Sequence, residues 1–183
     1  SIKESDARDM VKTTTIIFDL GETLLEQDHM KMASEIGLFD IMFYKDKDTL
    51  KDTLFDVLYR LGKQEKLEGE LQAKSGENIV PGIVCHWFAG KISSKEVLEK
   101  VEKIIEELDK TGYFKNKTEK KIVKNSLNLM FDPEKLSKVT KPIKKSLQLI
   151  KQLAQATDEA GNPLYELFIL SNWDKESFEI FYN

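Results

Sequence analysis

Cysteine, histidine and arginine are nearly missing from this chain of 183 residues, and each shortage closes off a class of function. Cys85 stands alone, so no internal disulfide can form, and a reducing compartment is expected. The two histidines, His29 and His86, lie far apart and form no zinc motif. Arg8 and Arg60 are the only arginines, which makes fork-like recognition of a carboxylate or phosphate scarce. No apolar run approaches the roughly 20 residues of a membrane span. No signal peptide is read before the first strand. The net charge of −4 supplies no basic field to draw nucleic acid or an anionic membrane. A cytoplasmic protein with neither nucleic acid nor membrane as partner is the expectation.

What is present is 40% hydrophobic residues, enough for one good core or a core with a smaller domain, and 33% charged residues, which fits a helix-rich protein. The chain is organised around residues 13–24. A β-branched and aromatic run, Thr14–Phe18, ends in Asp19 and then a glycine turn at Gly21. Such a run predicts a fully buried strand of a parallel sheet. Ligands of open α/β sheets bind beyond the carboxyl ends of the strands, where Asp19 is expected.

After Leu25 the periodicity turns helical for more than a hundred residues. Leu50, Leu54, Val57, Leu58 and Leu61 repeat at helical spacing, with Gly62 as the predicted stop. A polar helix is predicted over 65–74, then a turn at Pro81-Gly82 and an apolar patch at 83–88. Ser93-Ser94-Lys95-Glu96 is a capping-box signature opening the strongest helix, with Val97, Val101, Ile104 and Ile105 on its apolar stripe. The lysine and glutamate runs across 99–121 read as solvated helix faces. Asp132-Pro133 reads as an N-cap followed by proline at the first helical position. Pro142 is expected to begin a further helix. A turn-rich loop over 157–163 precedes a second strand at 164–170, which ends in Ser171-Asn172, with a helix starting near Lys175.

If the two strands are parallel neighbours, Asp19 and Ser171-Asn172 converge on one crevice. A carboxylate that attacks phosphorus needs neighbours that hold phosphoryl oxygens, and a hydroxyl with backbone amides supplies them. Asp19-Leu20-Gly21-Glu22-Thr23 resembles the first motif of the haloacid dehalogenase-like superfamily, D-x-D-x-T/V, and Leu170-Ser171-Asn172 resembles its second. The resemblance implies a Rossmann-like α/β core, incomplete here, formed by 1–25 and 141–183, with an α-helical bundle cap over 26–140. It further implies a magnesium-dependent phosphatase acting on a small-molecule phosphate ester. Asp19 would be the nucleophile and a metal ligand, and the backbone carbonyl of Gly21 a second ligand. Ser171, Asn172, Gly21 and Glu22 would bind phosphate, and Thr23 would shape the loop.

Two departures from the pattern matter. Gly21 stands where most phosphatases of the family carry a second Asp as general acid. The family's third and fourth motifs find no place before Asn183, so a C-terminal segment or a second polypeptide is expected to complete the core. A metal-independent 2-haloacid dehalogenase, whose leaving halide needs no proton, is one alternative. A catalytically impaired binding or regulatory protein is another. Trp173 is expected in packing, Cys85 as a buried thiol without a catalytic role, and His29 at the surface.

Overall fold

The computed structural model describes residues 13–65, 71–72, 79–171 and 173–182. In chain order the elements are β1 (Thr14–Phe18), β2 (Leu25–Gln27), α1 (His29–Ile36), α2 (Leu38–Phe43) and α3 (Lys47–Gln64). A small pair, β3 (Leu71–Gln72) and β4 (Ile79–Val80), leads to α4 (Gly82–Phe88), α5 (Ser94–Lys110) and α6 (Lys117–Phe131). The chain finishes with α7 (Pro133–Val139), β5 (Thr140–Pro142), α8 (Lys144–Gln155), β6 (Tyr165–Ile169) and α9 (Lys175–Tyr182). The fold is mixed α/β and mostly helical. Among the described residues, no helix is long and apolar enough to cross a membrane.

The chain divides into two compact units, one of residues 1–26 and 142–171 and the other of 27–141 and 172–183. The division differs from the predicted one mainly at 172–183. That segment groups with the helices because Trp173 packs on the cluster of Leu129, Leu136 and Val139, and α9 packs on α7.

In the first unit β1 and β6 pair in parallel, from Thr14 opposite Tyr165 to Phe18 opposite Ile169. Helix α8 packs on β6. Neither strand is fully buried, contrary to the expectation from the apolar run. Ile17 is 59% exposed and Leu170 is 71% exposed. The reason is geometric. Among the described residues of this unit one helix, α8, covers the sheet, whereas the apolar run is of the kind found in strands covered on both faces. The loop between α8 and β6 is tied by Asp158, whose side chain accepts from the backbone of Ala160 and Asn162 at 2.9 and 2.8 Å.

The second unit holds most of the described core. Val57, Leu58 and Leu61 of α3, Ile83 and Trp87 of α4, Val97, Val101, Ile104 and Ile105 of α5, and Val123, Leu127 and Phe131 of α6 form one cluster. Helix α5 begins as predicted, because Ser93 and Glu96 form a reciprocal capping box. Helix α7 begins with the Asp132 cap and Pro133.

Other expectations are corrected. Helix α3 runs through Gly62, which is buried, and ends at Gln64. Leu71–Gln72 pairs antiparallel with Ile79–Val80 instead of being helical, and the remainder of the predicted polar helix beyond Glu65 lies outside the described residues. The apolar patch at 83–88 is helix α4. Pro142 closes β5 and α8 starts at Lys144, since proline's restricted φ suits an extended residue as well as a first helical turn.

Glu119 is the clearest departure. Assigned by pattern to a solvated face, it is only 1% exposed. Its carboxylate accepts from the Lys115 backbone N–H at 2.6 Å and from the Thr53 hydroxyl at 3.1 Å. Tyr44 lies close by, and burial followed by the Glu119 charge pushes its phenol pKa up.

Candidate active site

Strand β1 ends at Phe18, whose carbonyl accepts from the backbone N–H of Leu170 at 2.9 Å. Asp19 is therefore level with Leu170, and Ser171 lies one residue further along the neighbouring strand. Both belong to the same compact unit, so parallel pairing carries both positions to one end of the sheet. Asp19 is exposed, and one carboxylate oxygen accepts from the Leu20 N–H at 2.7 Å. That local bond orients the carboxylate while its other oxygen keeps its acceptor capacity. Ser171 is half-buried. Asn172 lies outside the described residues.

The turn after Asp19 is held from both sides. The Leu20 carbonyl accepts from Leu24 N–H at 3.0 Å and Leu25 N–H at 2.9 Å, and Glu22 N–H donates to the Leu25 carbonyl at 2.8 Å. Leu20 and Leu24 are buried and pin the turn by their side chains. The left-handed residue in it is Glu22, at φ 59°, not Gly21. Glu22 is the single non-glycine residue with positive φ among those described, and holding a bulky residue there costs roughly 1–2 kcal/mol. Such strain persists where surrounding contacts over-determine the backbone, and it concentrates at binding and catalytic turns. Glu22 is exposed and Thr23 half-buried in the same turn. No motif signals the strain at Glu22. The apolar pair at 20 and 24 that anchors the turn is visible in the sequence.

The arrangement offers one carboxylate, a hydroxyl at the end of the neighbouring strand and a strained turn that follows the carboxylate in the chain. It does not offer a complete metal site. Among the described residues no group of three His, Cys, Asp or Glu side chains could hold a metal ion. Asp19 and the Gly21 carbonyl amount to one charged and one neutral oxygen. A magnesium ion held by that pair would take its remaining ligands from water and a substrate phosphate, as this ion commonly does.

The remaining candidates lie in the helical unit. Trp173 packs on the α7 side of the helical unit and meets Phe181 edge-on at 5.8 Å between ring centroids. Cys85, expected to be buried, is only half-buried in α4, with its sulfur 3.8 Å from the Val80 carbonyl. His29 is exposed at the start of α1. Set against family models, curated proteins and solved structures, the chain matches none.

Proposed function

We propose that the strand unit carries the nucleophilic part of a haloacid dehalogenase-like hydrolase and that Asp19 attacks a small phosphate ester. The in-register parallel pairing of β1 and β6 is the observation that supports it, since it sets an acid and a hydroxyl at the ends of adjacent strands. In the proposed reaction a carboxylate oxygen of Asp19 bonds to phosphorus, and the ester P–O bond breaks with its electron pair leaving on the alcohol oxygen. Water then attacks phosphorus of the aspartyl phosphate, releasing phosphate and restoring the carboxylate. Ser171, with Asn172 by the resemblance, holds phosphoryl oxygens during transfer.

Gly21 supplies no proton to the departing oxygen, and general acid help is worth roughly 10²–10⁴-fold. Esters whose alcohol leaves as a stabilised anion, such as aryl phosphates, therefore suit this site best. Asp19 and the Gly21 carbonyl would hold magnesium together with water and the substrate phosphate, and the ion would screen the repulsion between carboxylate and phosphate. The test is hydrolysis of p-nitrophenyl phosphate by the protein and by its Asp19→Asn variant. Turnover falls to background in the variant, and full turnover there would overturn the reading.

Gly21 also favours the dehalogenase reading, for which halide release from 2-chloropropionate without added metal is the direct assay. Gly21, which leaves the reaction without a general acid, also favours a binding or regulatory role. Calorimetry that finds a folded protein binding neither magnesium nor phosphate would shift the reading there.

A further inference from the structure

Helix α2 is apolar at five of its six positions, Leu38, Phe39, Ile41, Met42 and Phe43, yet none of its residues is buried. A helix that is apolar on all sides is normally covered on all sides. Helix α2 packs on α1 and α6, and Leu38 and Ile41 are half-buried. Phe39, Met42 and Phe43 are 73%, 58% and 75% exposed. These three stand at i, i+3 and i+4, so they form one outward stripe.

A recess of about 490 Å³ borders the stripe, with Phe39 and Phe43 in its lining. Most charges of that lining are matched within the chain. Lys121 reaches Asp40 at 2.6 Å, and Lys115 reaches Asp46 at 2.7 Å. Lys45 is the exception, exposed and in no ion pair among the described residues. Glu35, four residues before Phe39, is likewise exposed and unpaired among them. A ridge and an adjoining recess on one surface are the two halves of a self-complementary contact, because a two-fold axis sets each ridge against the other copy's recess.

We propose that α2 is the centre of a two-fold interface with a second copy of this chain, in which the two α2 helices run antiparallel. Phe43 of one copy then lies beside Phe39 of the other, at the mouth of the recess. The antiparallel arrangement sets Glu35 of each copy near Lys45 of the other, whereas a parallel one would set like charges together. The area agrees. Taking about 200 Å² for each side chain when fully exposed, the three leave roughly 400 Å² in water. A standard interface buries roughly 800 Å² on each partner, a little over half of it apolar. The stripe therefore supplies most of the apolar area that one side needs, and aromatic and methionine side chains are the types enriched at interfaces. Lys45, Asp46, Lys47 and Asp48 alternate in sign beside it, which gives an anionic membrane no basic patch to hold. The inference uses no residue of the strand unit and stands apart from the hydrolase reading.

Sedimentation equilibrium of the full chain from about 1 to about 200 µM should show a monomer–dimer equilibrium, since interfaces of standard size begin at micromolar affinity. Phe43→Glu puts a charge at the centre of the contact and should weaken the dimer roughly 100-fold or more. Lys45→Glu should weaken it about tenfold, and adding Glu35→Lys should restore it, because both cross-pairs re-form with reversed signs. A monomer at every concentration would overturn the proposal. So would a dimer undiminished by Phe43→Glu in a protein with the parent's circular dichroism, or a Lys45→Glu loss that Glu35→Lys fails to restore. A chain that stays monomeric but co-sediments with phosphatidylcholine vesicles would give the stripe to a lipid surface and overturn it too. The charge swap alters only exposed side chains and decides the matter even if Phe43→Glu disturbs α2.

Discussion

Replacing Glu119 with alanine should destabilise the helical unit by about 3 kcal/mol. The carboxylate is almost fully buried, and each oxygen serves a different donor, Thr53 Oγ1 on one side and Lys115 N–H on the other. Removing the carboxylate orphans the Lys115 N–H, which costs roughly 1–3 kcal/mol. It also removes the Thr53 contact, worth roughly 0.5–1.5 kcal/mol net, since that hydroxyl is shared with the Thr49 carbonyl. The middle of the combined range, about 3 kcal/mol, is a large share of the 5–15 kcal/mol typical of a whole domain. Glu119→Gln keeps the shape but turns an amide NH₂ toward one of the two donors, so an intermediate loss of about 2 kcal/mol is expected. Urea unfolding followed by circular dichroism reads both values, provided the m-value is unchanged. A Glu119→Ala protein within about 0.5 kcal/mol of the parent would refute the reasoning, because surface substitutions lie in that range.

Two further outcomes can be checked by NMR. Glu22→Gly removes a left-handed bulky residue, and the β1 and β6 amides should exchange more slowly by an amount worth up to about 1 kcal/mol; faster exchange would mean that the Glu22 side chain holds the turn. Asp46 is held down at about 2, first by the Lys115 ammonium at 2.7 Å and then by Thr49. Its folded pKa lies below the ordinary 3.8, so its contribution to stability is complete above about pH 4 and is lost as pH falls toward 2. The carboxyl carbon of Asp46 should titrate near 2 and move back toward 3.8 in Lys115→Met, and an unmoved midpoint would assign the depression to Thr49 alone.

Features written within a few neighbouring residues could be read from the sequence. The Ser93 box, the Asp132-Pro133 start and the stripe of α5 are local, and all three stand as expected. The parallel pairing of β1 with β6 was posed as a condition and is what the fold contains. Features that depend on distant partners were not readable. Glu119 is buried because Thr53, 66 residues away, and the Lys115 backbone face it, and a lysine-rich context gives no hint of that. The placement of 172–183 depends on where Trp173 finds an apolar cluster. The exposure of Ile17 could not be foreseen from a run that looks the same whether one face of the sheet is covered or both. Within the site, Asp19 and Ser171 were visible as residue types at strand ends, whereas the strain at Glu22 is a property of backbone geometry alone.

The register of β1 against β6 acts on the site like the phase of a vernier. Phe18 opposite Ile169 is one of five successive matches, and Asp19 and Ser171 inherit their separation from that phase. A slip by a single residue would carry each side chain of the moved strand to the opposite face. Substitutions at Ile16, Ile17, Leu167 or Phe168 that shift the match could therefore separate acid from hydroxyl while altering neither. Pairs such as Ile17 with Phe168, which carry neither the acid nor the hydroxyl, belong to the alignment of the two strand ends as much as to the stability of the sheet.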